Sequence, residues 1–408
     1  MSKLEELIQQ YCPDGVEYRP LWSLTAWDKK FNGIEDKSKQ KRVIKYNYLL
    51  AADLKSYQVE GGTVKLLTTN ISNLYTSEEL AEGLASDGEV VAIPWGGNPV
   101  VQYYKGRFLT ADNRIATSLD TTLLNNKFLY YCMLSQLKLI ASFYRGSGIK
   151  HPDMAKVLDL EIPIPPLPVQ EEIVRILDTF TELQAELQAE LQAELQKRLQ
   201  QYNYYRDNLL SFEGTTDVEW KKLGEIGKVC MCKRIMKDQT SSSGDVPFYK
   251  IGTFGGDADA FISKELFEEY KIKYSYPNKG DILISAAGTI GRTVVFDGKA
   301  SYFQDSNIVW LKHNDSVVLN SFLRYCYTQS PWAISTGGTI ARLYNDNILN
   351  AVIPVPSISE QQRIVDILDR FDALTTDLSQ GLPAEIEKRK LQYEYYRDRL
   401  LTFKRKEA

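Results

Sequence analysis

The side chains suited to chemistry in this 408-residue chain are few and scattered. There are only two histidines, His151 and His313, so imidazole-based acid–base catalysis has little to work with. Cys230-Met231-Cys232 could be half a metal site, but no second pair or nearby histidine completes it. Glu269-Tyr270-Lys271 has the Glu-x-Lys spacing of many nucleases, yet beside Glu268 it reads first as a solvated acidic face. A GxxxxGK[ST] phosphate loop, a dinucleotide-binding glycine fingerprint, an HExxH helix and an Asn/Asp-Pro-Pro-Tyr/Phe run are all missing. What remains is four glycine-rich loops with polar or basic tips: Trp95–Pro99, Arg145–His151, Ala286–Arg292 and Thr336–Arg342. Loops of this kind can bring backbone close to a phosphate and set Arg, Lys or Asn at base edges, although they also serve as plain turns between strands. The candidate contact residues are Asn98, Arg145, Lys150 and His151 in the first half, and Thr289, Arg292, Arg342 and Tyr344 in the second.

The elements that must position these loops are written twice. IPIPPLPVQEEIVRILDTFTEL (162–183) returns as IPVPSISEQQRIVDILDRFDAL (353–374), and KRLQQYNYYRDNLLSF (197–212) as KRKLQYEYYRDRLLTF (388–403). Both pairs keep an offset of 191 residues, and about half of the 51 aligned positions are identical. The preceding regions match more faintly: GVEYRPLWSL (15–24) with DVEWKKLGEI (217–226), and residues 88–106 with 280–298. Ala111-Asp112-Asn113-Arg114-Ile115 falls where Gln304-Asp305-Ser306-Asn307-Ile308 falls. These stretches alternate like strands and are punctuated by Gly, Asn and Asp turns. The order is globule, helix, globule, helix, with boundaries at 1–160, 161–212, 213–352 and 353–408.

Pro163, Pro165, Pro166 and Pro168 keep the helix from starting earlier. From Glu171 onward apolar residues step by threes and fours. The middle of this helix repeats the word Leu-Gln-Ala-Glu, all strong helix formers. Four residues advance about 400°, so the leucine stripe turns roughly 40° per repeat and one partner helix covers it poorly. The second copy carries Gly381-Leu382-Pro383, a stop-and-restart signature that predicts a kinked or split arm. Two arms of equal length predict an antiparallel helical pair, with the chain ends close together and a globule at each end. The apolar positions of the first arm are Ile173, Ile176, Leu177 and Phe180, followed by the rotating stripe at Leu183, Leu187, Leu191 and Leu195.

Charge is distributed unevenly. Residues 1–160 carry 19 basic and 18 acidic side chains, and residues 213–352 carry 16 of each, whereas 161–212 has 4 basic against 9 acidic. Neutral globules lack the basic footprint of a stand-alone DNA-binding domain, so they either avoid nucleic acid or rely on a partner for electrostatic grip. An acidic arm suits a protein partner better than a phosphate backbone. Five cysteines without paired spacing fit a reducing cytoplasm, and neither an apolar signal core nor a membrane-length apolar run is visible.

The duplicated IP-x-P…IVRILD/IVDILD…KR…QY-x-YYRD-x-LL segment resembles the repeated regions of type I restriction–modification specificity subunits. The resemblance runs the length of the chain and is most specific in 162–212 and 353–403. It implies an α+β fold with two strand-rich target-recognition domains, separated by two long helices forming an antiparallel coiled-coil spacer with pseudo-two-fold internal duplication. It also implies a non-catalytic subunit that reads an asymmetric bipartite site in double-stranded DNA, one half per globule, with the helices setting the unspecified gap. Carried over to this sequence, the resemblance implies a buried seam at Ile173, Ile176, Leu177 and Phe180 with Ile364, Ile367, Leu368 and Phe371. It also makes Tyr205, Arg206, Tyr396 and Arg397 candidates for contacts at the spine ends or with a modification subunit, where simple packing of a helix terminus is the alternative. Two modification (methyltransferase) subunits would dock on the spine and two restriction (translocase/nuclease) subunits would join them. S-adenosylmethionine, ATP and Mg would reside on those partners, with no cofactor or metal in this chain and no membrane. The alternatives are a stand-alone nuclease or methyltransferase on a shared scaffold, or a coiled-coil scaffold protein. The missing cofactor loop weighs against the first, and two divergent globules on similar frameworks against the second.

Overall fold

The computed structural model describes the whole chain apart from Met1, Gly33, Lys41, Glu213, Thr216, residues 335–341, residues 376–380 and Ala408. Most of the Thr336–Arg342 loop therefore lies outside the described residues. The chain packs as two compact units, one formed by residues 1–190 with 386–408 and the other by residues 191–385.

In the first unit a six-stranded sheet runs in the order Thr25–Trp27, Asn113–Ser118, Ser86–Pro94, Gln102–Thr110, Val64–Leu67, Tyr75–Thr76. All neighbours are antiparallel except Val64–Leu67, which lies parallel to Gln102–Thr110. The helix Asn126–Ser135 packs beside it, and Asn125 caps that helix by accepting from the Lys127 and Phe128 amides. A separate antiparallel pair, Glu17–Pro20 with Glu161–Ile164, delivers the chain to the long helix. The second unit reuses the plan. Gly227–Met231, Ile308–His313, Ile282–Ser285 and Thr293–Val295 form one sheet, and Phe261–Ile262, Val246–Tyr249 and Tyr302–Phe303 another. Again one pair is parallel, Val246–Tyr249 with Tyr302–Phe303. The single long strand Gln102–Thr110 of the first unit is thus represented by two short strands in the second. Glu219–Lys222 pairs with Val352–Val355 as Glu17–Pro20 pairs with Glu161–Ile164.

The helix Leu167–Ser211 is continuous over 45 residues, about 68 Å at 1.5 Å per residue. Pro168 lies in its first turn, where a missing amide hydrogen is harmless. In the second arm the described helices are Ile358–Thr375 and Leu382–Leu400, and Gly381 lies in a bend just before the second of them. In the first unit the helices run antiparallel. Ile173 and Leu177 share a core with Leu401, and further along Thr181 Oγ1 lies 2.9 Å from the Tyr393 hydroxyl.

A buried glutamine ties each helix to its globule in the same way. Gln170 accepts from the Asn125 amide at 2.9 Å and donates to the Leu123 and Pro165 carbonyls at 2.8 and 2.7 Å. Gln361 accepts from the Leu319 amide at 2.8 Å and donates to the Val317 and Pro356 carbonyls at 3.0 and 2.9 Å. Tyr131 and Tyr325 likewise each donate a phenol hydrogen bond to Asp178 and Asp369 of the adjoining helix. The C-terminal segment closes the first unit: Val16 donates to the Lys404 carbonyl, Lys406 donates back to Val16, and the Phe403 amide reaches the Tyr18 hydroxyl. Gly15 permits this approach, because a Cβ there would stand 2.5 Å from the Lys404 oxygen.

Ile173, Leu177, Ile364 and Leu368 are buried, while Ile176, Ile367 and Phe371 are half-buried. One residue departs from the expected seam: Phe180 is 39% exposed. In the rotating stripe Leu183 is 56% exposed, while Leu187, Leu191 and Leu195 are half-buried. No described helix is long and apolar enough to cross a membrane.

Candidate nucleic-acid interface

Two loops meet at one end of the central strands Ser86–Pro94 and Gln102–Thr110. The Gly97 amide donates to the Lys150 carbonyl at 3.2 Å, and His151 Nδ1 lies 2.7 Å from the Trp95 carbonyl. Gly96 passes so close to Ile149 that a Cβ would stand 2.8 Å from a methyl of its side chain. Asn98, Arg145, Lys150 and His151 therefore share one exposed loop pair. Arg145 also lies 3.9 Å from Asp153, a contact too long and too exposed to immobilise it.

The turn beneath is rigidly held. The Trp95 ring is flanked by the Arg114 guanidinium, 4.1 Å from its centroid, and by the His151 ring at 5.1 Å. Arg114 is buried and donates to the Asn113 carbonyl at 2.8 Å, with Asp28 4.0 Å away. Asp28 accepts from the Ile115 amide at 2.8 Å and from the Tyr48 hydroxyl. Burial pushes the Asp28 carboxyl above its ordinary range, against those hydrogen bonds and the Arg114 charge, which pull it down. The Tyr48 phenol is driven up by burial and by the neighbouring Asp28. Beside Trp95 and Arg114 a cavity of about 420 Å³ opens, with Lys29, Lys30 and Asn32 in its wall.

In the second unit Thr289 and Arg292 lie in one turn. The Arg292 amide donates to Ser285 Oγ at 2.9 Å, and Ser285 Oγ in turn donates to the Thr289 carbonyl. Arg292 Nη2 reaches the Gly255 carbonyl at 3.2 Å. Arg342 Nη2 donates to the Ser306 carbonyl at 2.7 Å, and the Leu343 amide to the Ala286 carbonyl at 2.9 Å. Thr289, Arg292 and Arg342 are thus gathered, while Tyr344, 56% exposed, stands next to them as the residue before helix Asn345–Leu349. Sequence patterns miss Lys29, Lys30 and the loop around Gly255 altogether, and they mark Arg114 and Ser306 only as members of matching segments, 111–115 and 304–308, without placing either beside its loop. The contacts that gather them span long stretches of chain, for which a linear pattern carries no signal.

On the helices, the repeats place matching aromatics. Tyr205 stacks on Phe371 with centroids 5.5 Å apart, and the counterparts Tyr396 and Phe180 line one groove of the first unit together with Tyr393, Leu183 and Leu187. Arg206 and Arg397 each pair with the following aspartate, and each lies over a tyrosine one turn back, Tyr202 or Tyr393. Among the described residues no group of three or more His, Cys, Asp and Glu side chains gathers as a metal site.

These clusters offer exposed hydrogen-bond donors and acceptors. Comparison with known proteins gives the context. The family model described as type I restriction modification DNA specificity domain matches residues 87–197 and 216–388, one match in each half of the duplication. The chain belongs to that family. S.HindORF215P of Haemophilus influenzae, provisionally named a type I restriction enzyme specificity subunit, is 51% identical over 335 residues, covering 80% of this chain and 86% of the relative. The EcoR124I/EcoR124II specificity subunit of Escherichia coli is 36% identical over 319 residues, covering 72% of this chain and 75% of the relative. A solved chain from work on complex assembly and conformational transition of the type I R-M system shares the fold, with a TM-score of 0.62 at 16% identity and coverage of 95% of this chain and 98% of that one. The mixed helix-and-strand architecture with a long spacer helix is therefore that of the specificity subunits.

Proposed function

We propose that this specificity subunit directs a type I restriction–modification complex to a bipartite DNA site, each unit reading one half through its own loop cluster. One observation carries the reading. Both units hang from the repeat helices by the same buried Gln and Tyr–Asp ties, yet the loops they present differ in every residue proposed to reach DNA. A constant frame with two unlike reading edges fits two unlike half-sites. In the first unit the proposed contacts are Asn98, Arg145, Lys150 and His151, with Lys29 and Lys30 added by the geometry. In the second they are Thr289, Arg292, Arg342 and Tyr344. Arg or Lys suits guanine and Asn suits adenine in the major groove.

The near balance of positive and negative charge in each globule means that counterion release alone gives modest affinity. This supports an obligate complex in which two modification subunits supply much of the grip, docking along the exposed aromatic and leucine positions of the helices, and two restriction subunits complete the assembly. S-adenosylmethionine, ATP and Mg then act on those partners, in the cytoplasm. A binding selection tests this: the subunit with its modification partner is offered random duplexes. Enrichment of two short motifs at a fixed gap is the expected result, and a single continuous motif or no enrichment would refute it. The full chain alone should neither methylate nor cut DNA, and activity there would favour the stand-alone enzyme.

A further inference from the structure

Resting on that reading, we infer that Asn70 and Ile71 are specificity-determining residues of the first unit, presented to base edges by a braced loop, Thr68–Leu74, that sequence patterns do not single out. The loop follows strand Val64–Leu67 and returns to Tyr75–Thr76. Its stem is held by side chains from three other places. Gln102 Nε2 donates to the Thr68 carbonyl at 2.8 Å, and Asn113 Nδ2 donates to the Leu67 and Thr68 carbonyls at 2.8 and 3.2 Å. On the return side Lys65 Nζ donates to the Ser72 carbonyl. Within the loop Thr68 Oγ1 donates to the Asn70 carbonyl at 2.6 Å and lies 3.0 Å from Ser72 Oγ. Lys65 is a buried lysine, its ammonium 4.6 Å from the Tyr75 ring centroid, and burial lowers its pKa. A buried charge committed to one loop carbonyl is a costly arrangement unless the loop's shape matters.

What this frame presents is an exposed Asn70 and an Ile71 that is 72% exposed. A single exposed apolar residue means little by itself. Here, however, the loop is fixed in advance, so it loses little conformational freedom when it meets a partner. It also adjoins the loops already described: Asn113 precedes Arg114, and the Trp95 amide donates to the Asp112 carbonyl at 2.8 Å. Asparagine amides pair with adenine edges, and aliphatic side chains pack on the thymine methyl. The second unit places its own loop, Lys250–Ala260, after the equivalent parallel strand and ties it to the neighbouring turns through Arg292 to Gly255 and Gln304 to the Ile251 amide. That loop offers Gly255, Gly256 and Asp257 instead, with Phe254 buried. The two loops share a position and differ in chemistry, as reading elements for unlike half-sites must.

The test uses the full chain co-expressed with its modification partner, mapping methylated adenines for wild type, Asn70→Ala and Ile71→Ala. Both residues are exposed, so thermal melting of the variants should match wild type. The expected result is relaxation at one or two adjacent positions of one half-site, with discrimination reduced about tenfold, and an unaltered second half-site. Wild-type motif and rate in both variants would overturn the inference, as would a uniform rate loss with the motif intact, which marks a phosphate contact. If wild type itself yields no bipartite motif, the functional reading fails and this inference falls with it; if wild type does yield one, only the loop is on trial.

Discussion

Gln361→Ala is the sharpest test of how the repeat helix organises its globule. Gln361 is fully buried and makes three hydrogen bonds, to the Leu319 amide and to the Val317 and Pro356 carbonyls. Alanine leaves all three backbone groups without that partner. At about 1 kcal/mol per neutral hydrogen bond the loss is about 3 kcal/mol. With an m-value of about 2 kcal/mol/M in urea, the midpoint for the second unit should fall by about 1.5 M. Trp220, Trp310 and Trp332 report on that unit by fluorescence, and Trp22, Trp27 and Trp95 on the first. Two units need not unfold together, so each transition is fitted separately. Gln170→Ala should shift the first unit's transition by a similar amount. Gln362→Ala removes only a surface bond to Asp366 and should shift nothing measurable. A shift below about 0.3 M for Gln361→Ala would mean that water replaces the side chain at little cost, and the tie would lose its structural meaning.

Four further outcomes follow from the same reasoning. Deleting residues 187–190 removes one Leu-Gln-Ala-Glu word, about 6 Å of helix, and should shorten the unspecified gap by one or two base pairs at about 3.4 Å each while leaving the bases read unchanged; an unaltered gap in the methylated sites would refute the spacer role. Arg342→Ala should relax one half-site, and Lys150→Ala should act only on the other; sequencing of methylated sites would expose any cross-effect. Glu172 is held down to about 2 by hydrogen bonds from Arg175 and Lys3, so it contributes stability that is complete above the ordinary glutamate range and is lost as pH falls from about 4.5 towards 2; Glu172→Gln should flatten acid unfolding of the first unit in that window. All five cysteines are buried, and burial pushes the Cys132, Cys232 and Cys326 thiols up, so a thiol reagent should label the native chain slowly and fully only after denaturant is added.

The large divisions of this molecule are legible in its sequence because they repeat. The 191-residue offset pairs Gln170 with Gln361 and Asp178 with Asp369, and the structure gives each pair one job. The bend at Gly381 and the helix start at Leu382 are legible too, since glycine and proline act locally. Phe180 is harder, because amphipathic periodicity identifies an apolar stripe without saying which of its residues a neighbouring helix covers. The reading edges are harder still. Arg114 is an ordinary strand residue in the sequence, and only the fold brings it over Trp95 and beside Asp28. Likewise the Thr68–Leu74 loop lacks the glycines that draw attention to Trp95–Pro99, since its shape is imposed by Lys65, Gln102 and Asn113 from outside. Short-range rules locate turns, and long-range hydrogen bonds decide which turns are stiff.

The central claim, one half-site per unit on a common helical frame, is tested most directly by mapping methyladenine with long-read sequencing in cells that express this chain with its modification subunit. The account predicts a two-part motif with a fixed unspecified gap, absent when either partner is omitted. Background methylation from an assembled complex would contradict it and would leave the chain a scaffold rather than a reader.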